Sequence, residues 1–385
     1  MMTARALSPE LNQRVRYWLP VVLAAGASWL AFVLIGGTPL LRASGLALVI
    51  AGMALVLRPM GAALALPGAL ALAFSPAFWA QTGGAQRLEV LQVALALGAA
   101  VLAVVVVLRA GQRLSAGILL GALVFGVLFL LLVGTPRSLR LTTLLSAWLL
   151  FLLTDAMFTA NPRPDSPPTG QLGPQHTWGL FVLLALGVLN DPLAVLMAPA
   201  VLLGLFLTGK RLPVAYWLAL LALIAYGAYG VITLYADTTW WGYSAAAAKA
   251  QNITVPYIIA NGWREPARWL DLIALVSGQF TALGVLLGVA GLARLSRWYA
   301  PVGVVTMVAY GCYALFGLVY FGADASVLLL PLLMIQVFWI SYAFHTLGQW
   351  LRRWAGGRAH MAGWVAAVLY GLMPLVLLLR IVGIL

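Results

Sequence analysis

Acidic residues are scarce in this chain. Its 385 residues hold nine Asp and Glu against 22 Lys and Arg, and charged residues make up only 8%. A soluble domain carries about a quarter charged residues, so a water-exposed enzyme surface is excluded. There is one cysteine, Cys312, inside an apolar run, which excludes a disulfide framework and a Cys-type zinc site. The three histidines, His176, His345 and His360, have no metal-ligand spacing, so zinc and b-type haem have no support. No Gly-rich Walker loop occurs, which argues against ATP-driven transport. Ion-coupled transport calls for charges near the bilayer midplane and paired broken helices; only Asp155 and one short apolar run fit that description. The net charge of +13 does not point to nucleic acid, because no basic face with interleaved aromatics exists.

What the chain does have is apolar length. It is 64% hydrophobic, with a mean hydropathy of +1.02, and a crossing helix takes about 20 such residues. The fold class is therefore all-α, a polytopic integral membrane protein with about 13 transmembrane helices. The apolar stretches are 17–36, 40–57, 60–79, 88–108, 114–134, 139–160, 177–190, 192–209, 213–236, 271–293, 299–321, 325–350 and 361–384. The seventh ends at Asn190-Asp191-Pro192 and reads as a broken or re-entrant element. The pairs Lys210/Arg211, Arg294/Arg297 and Arg352/Arg353 fall in alternate loops. By the positive-inside rule they put those loops and the N-terminus in the cytoplasm and the C-terminus outside. The first run lacks a small-residue cleavage site and reads as a retained span. Residues 161–176 form a Pro/Gly-rich cytoplasmic linker between a six-helix part, 1–160, and a seven-helix part, 177–385. The latter carries an extracytoplasmic segment, 237–270.

Ionisable groups in or beside a bilayer are costly, and by default functional. Glu10, Asp165 and Asp155 fall on the inner side; the other six acids, Glu89, Asp191, Asp237, Glu265, Asp271 and Asp324, fall at outer helix ends. Each also has a structural reading. Asp191 precedes Pro192 and suits a helix start, and Asp271 and Glu89 suit helix N-termini. Glu265 pairs naturally with Arg264 or Arg268, Asp324 suits a tight turn, and Asp155 suits an ion pair with an inner arginine. The repeats Gly117/Gly121 and Gly284/Gly288 read as helix packing. Segment 237–270 gathers Asp237, Trp240, Trp241, Tyr257, Trp263, Arg264, Arg268 and Trp269. Such a set fits an interfacial belt, or an ordered cap in which arginines grip a phosphate and aromatic rings hold a sugar or lipid chain.

Three stretches resemble a known family. Phe74-Ser75-Pro76-Ala77-Phe78-Trp79, Trp241-Gly242 with Gln279-Phe280, and Tyr320-Phe321-Gly322-Ala323-Asp324 with Pro331 are similar to motifs of the GT-C superfamily. The likeness is to its bacterial membrane family related to eukaryotic transmembrane protein O-mannosyltransferases. It implies a GT-C-like fold in a bacterial inner membrane and transfer of a sugar from a polyprenyl-phosphate donor to an extracytoplasmic acceptor. Such transfer uses a carboxylate base and in many cases a divalent metal. The family's acidic first-loop motif has no counterpart in Gly36-Gly37-Thr38-Pro39. Glu89 lies three positions past the expected glutamate, Tyr243 replaces an aspartate, and Asn190-Asp191 replaces a polar site. Catalysis would then fall to Asp191, helped by Glu89 and Asp324. Substrate binding would fall to Asp237, Trp240, Trp241, Tyr257, Arg264 and Arg268. The alternative is a catalytically inactive GT-C-like subunit, or a scaffold that binds the lipid carrier and a membrane-protein partner.

Overall fold

The computed structural model describes residues 9–83, 87–111, 114–133, 139–161, 172–234, 262–320, 324–355 and 359–385. Among these, all regular structure is helical. In chain order the helices are α1 (Pro9–Leu34), α2 (Leu40–Leu57), α3 (Ala62–Ala73), α4 (Pro76–Trp79), α5 (Arg87–Arg109), α6 (Leu114–Val133), α7 (Leu139–Ala160), α8 (Pro174–Asn190), α9 (Ala198–Leu207) and α10 (Val214–Leu234). After the segment 235–261 come α11 (Pro266–Trp298), α12 (Ala300–Val319), α13 (Ala325–Leu328), α14 (Leu330–Ala355) and α15 (Ala359–Val382). Among the described residues, eight helices are long and apolar enough to cross a membrane, and shorter apolar helices cover 62–73, 96–109, 116–125 and 192–207. The protein is an all-α membrane protein.

Proline and glycine set the boundaries. Pro76, Pro174 and Pro266 stand at helix starts, where a missing N–H costs nothing. The third apolar stretch is split at Phe74-Ser75, and the twelfth into α13 and α14. The tenth is longer than its apolar run: α11 starts at Pro266, so Asp271 stands exposed inside it and Glu265 is its N-cap. That helix is also broken at Thr281 (φ 65°, ψ 166°), a conformation a β-branched residue holds only when its surroundings impose it.

Helices α2 and α14 form the centre; 72% of each apolar span is buried, against 17% for α10. α1, α3 and α7 surround α2, and α3, α11 and α15 surround α14, while α5 and α6 pack on each other and reach the rest through α8. The outward faces carry Val22, Leu102, Val106, Leu218, Ile232, Leu286, Val368 and Leu372 exposed, as a lipid-facing surface requires and an aqueous one does not.

Glycines let α11 approach α14. A Cβ at Gly288 would sit 2.0 Å from the Gln336 amide, and one at Gly291 would sit 1.9 Å from the Trp339 carbonyl oxygen. The first clash is with a side chain that can swing away; the second is with backbone, which cannot. At Gly121 a Cβ would meet Val104 at 2.6 Å, so both glycine repeats serve helix packing. Gly291→Ala should therefore destabilise the protein by about 1–3 kcal/mol. Gly371→Ala in α15, where a Cβ meets nothing within 4 Å, should be neutral or slightly stabilising. Thermal unfolding of both variants in one detergent checks the contrast; equal stability would refute the close-packing account.

Candidate functional site

Four of the buried polar side chains, Gln81, Thr143, Asn190 and Asp191, lie at one end of the bundle around the turn between α8 and α9. α8 is 17 residues long, about 25 Å. It ends at Asn190 because Pro192 cannot continue it, and the chain returns through a 3-10 helix, Pro192–Met197, into α9. The result is a helical hairpin: Lys210 donates to the Leu172 carbonyl at its base, and Asn190-Asp191-Pro192 forms its tip. Gly227 and Gly230 of α10 pack closely over Val195 and Pro192. At the tip Asn190 and Asp191 are both at 0% exposure, and Pro192 is half-buried.

Bonding offsets part of the cost of burying these groups. Asp191 Oδ1 accepts the Leu193 N–H at 3.1 Å, an N-cap for the 3-10 helix. Asn190 donates from Nδ2 to Thr142 Oγ1 at 2.8 Å. Beside them lies a recess with room for about one water, walled by Thr142, Thr143, Asp191, Tyr313, Leu328 and Pro331. Thr143 sits 3.4 Å from Gln81 Oε1, and Arg140 donates from Nε to the Gln81 carbonyl at 3.1 Å. Arg42 donates to the Gly83 carbonyl.

Of the residues expected at a site, the structure brings two neighbourhoods together. Asp324 heads α13, and that turn, through Val327 and Leu328, walls the recess that Asp191 faces. Asp324 itself accepts the Tyr320 hydroxyl at 2.5 Å. Arg268 is buried in α11, where it donates from Nε to Glu265 at 2.7 Å and from Nη1 to the carbonyls of Leu318 and Val319. It thus caps the C-terminus of α12, as a cation suits. Arg264 is exposed, its guanidinium 5.1 Å from the Trp263 ring. Glu89 belongs to α5, with its side chain outside the described residues. Asp237, Trp240, Trp241 and Tyr257 also lie outside them, so the expected cap over 237–270 is described only from 262 onward.

Several participants are not among the site residues expected from the sequence: Gln81, Arg140, Thr142, Thr143, Tyr313, and Gln279, which entered only as part of a motif and here accepts the Ala77 N–H. Their signal is a polar side chain inside an apolar helix, which marks a buried partner, although nothing in the spacing says which one. Asp155, expected beside an inner arginine, interacts with Arg58 at the other end of the bundle and also meets His176 Nε2 at 2.9 Å.

Among the described residues no three His, Cys, Asp or Glu side chains converge. A divalent ion prefers several oxygen ligands, whereas the recess offers one carboxylate and Asp324 is engaged by Tyr320. The described residues do not fit such an ion. The chain matches no protein-family model, no curated protein and no solved structure.

Arg268→Met would strip the α12 carbonyls and Glu265 of a buried charged donor, a loss of about 2–3 kcal/mol, while Arg264→Met at the surface should change stability by about 0.5 kcal/mol or less. Unfolding in mixed micelles measures both. A stable Arg268→Met protein would show that the guanidinium is not a structural cap.

Proposed function

We propose that the chain crosses a bacterial inner membrane about thirteen times, N-terminus in the cytoplasm and C-terminus outside. There it acts as a divergent GT-C-type glycosyltransferase on the outer face. In this reading Asp191 takes the proton of an acceptor hydroxyl. The hydroxyl oxygen attacks the anomeric carbon, the carbon–oxygen bond to phosphate breaks, and polyprenyl phosphate leaves. Arg264, beside Trp263, and the aromatic residues of 237–261 contact the donor, and Glu89 and Asp324 contact the acceptor. Because Arg268 is engaged with backbone, it positions α12 and is not assigned to the phosphate.

One observation carries this reading: Asp191 and the turn headed by Asp324, far apart in the chain, flank one recess at one end of the bundle. Val327 and Leu328 wall the same recess, and Asp191 is fully buried, so in this reading an acceptor reaches it only when the recess opens. A second reading, a catalytically inactive subunit or lipid-carrier scaffold, is favoured by the complete burial of Asp191 and by its capping bond.

Asp191→Asn separates the two, because an amide oxygen still accepts the Leu193 N–H while the base is gone. Transfer from a polyprenyl-phosphate sugar should fall by about 100-fold or more at normal abundance, with Asp271→Asn unaffected. Full activity in Asp191→Asn rejects the assignment. No transfer by the unmodified protein with any such donor leaves the scaffold reading. Topology is tested separately: reporter fusions at Lys210 and at Asn252 should report opposite sides of the membrane, and the same side would overturn the thirteen-crossing arrangement.

A further inference from the structure

At the end of the bundle away from Asp191, the start of α3, the last turns of α14 and the first turns of α15 line an open-sided cavity of about 480 Å³. Its walls include Gly61, Ala62, His345, Gln349, Arg352 and Trp364, and no Asp or Glu among the described residues. The polar wall is fixed by bonding: His345 donates from Nδ1 to the Met60 carbonyl at 3.0 Å and accepts at Nε2 from the Gln349 amide at 2.9 Å. Arg352 makes no ion pair with a described residue. Its guanidinium lies over Gly363, where a Cβ would come within 2.8 Å of Nη2. The missing side chain at Gly363 is what leaves the cation room at the cavity wall.

The surroundings indicate the occupant. Trp350, Trp354 and Trp364 are 62%, 95% and 66% exposed at this end, and exposed tryptophans mark the headgroup level of a bilayer. The neighbouring faces of α15, with Val365, Val368 and Leu372 exposed, are apolar. A basic, acid-free cavity between helices at headgroup depth, continuous with lipid-facing surface, suits a phosphate carried on acyl chains. We propose that this cavity binds the headgroup of an acidic phospholipid, with Arg352 on the phosphate and the acyl chains along α15. This site is independent of the glycosyl-transfer reading.

The test uses the full chain in detergent, titrated with phosphatidylglycerol, phosphatidylcholine or inorganic phosphate, with bound lipid counted by native mass spectrometry. Phosphatidylglycerol should be retained in preference to phosphatidylcholine and should resist millimolar inorganic phosphate. Arg352→Gln should weaken its retention about fivefold, the worth of one arginine near an anionic surface. Gly363→Val, which displaces the guanidinium without changing charge, should weaken it similarly. Arg353→Gln, an equal charge change on an exposed neighbour outside the cavity wall, should leave retention unchanged. Equal losses in Arg352→Gln and Arg353→Gln would reduce the effect to general surface attraction and overturn the site. Unaltered retention in Arg352→Gln would also overturn it, as would displacement by inorganic phosphate, which would assign the cavity to a soluble anion.

Discussion

Within lipid, every backbone N–H and C=O that a helix does not satisfy must find another partner. That constraint organises the Asp191 end of this protein. The chain interrupts its helices there repeatedly, at Ser75, at Asp191 and after Val319, and a side chain closes each interruption: one from a distant helix at the first and third, and Asp191 itself at the second. Gln279 Oε1 accepts the Ala77 N–H at 2.7 Å across 202 residues of sequence. Asp191 takes the Leu193 N–H, and Arg268 takes the last carbonyls of α12. An unmade bond of this kind costs about 1–3 kcal/mol when buried, so these polar groups tie α4 and α12 to α11 and close the turn that leads into α9. Apolar packing alone would leave the breaks open.

The same layer supplies the chemistry available to the protein. Asp191 is at once a helix cap and a carboxylate beside a recess, and those roles use different parts of the group: one oxygen lone pair for the cap, the charge for a base. Arg268 shows the opposite case, with its donors turned to backbone and to Glu265. Burial alone does not separate the two, since both side chains are enclosed; the direction of their bonds does.

Helix content and the apolar stretches were legible because hydrophobic length is a local property. The break at Asn190-Asp191-Pro192 was legible too, since proline acts on its own neighbours. What escaped was long-range. Gln279 looks like one polar residue in a span, and only the fold brings it to Ala77. Asp155 has the expected inner arginine in its field, Arg58, but its 2.9 Å contact with His176 comes from α7 and α8 packing side by side, which no local pattern shows. Asp271 was placed at a helix start from the edge of the apolar run, yet Pro266 begins the helix earlier, and hydropathy does not register a proline start. The likeness to the GT-C superfamily rests on short motifs, one of them in 235–261, so the candidate site is read from Asp191 and its neighbours.

The central claim is that side chain-to-backbone bonds hold the broken helices at this end as firmly as the uninterrupted spans. Hydrogen–deuterium exchange in lipid nanodiscs measures this directly, because exchange reports local opening. Amides of 75–82 and 190–197 should exchange as slowly as those of α2 and α14. Gln279→Leu should release the first segment and leave the second protected. Rapid exchange of both segments in the unmodified protein, or no change in Gln279→Leu, would contradict the account.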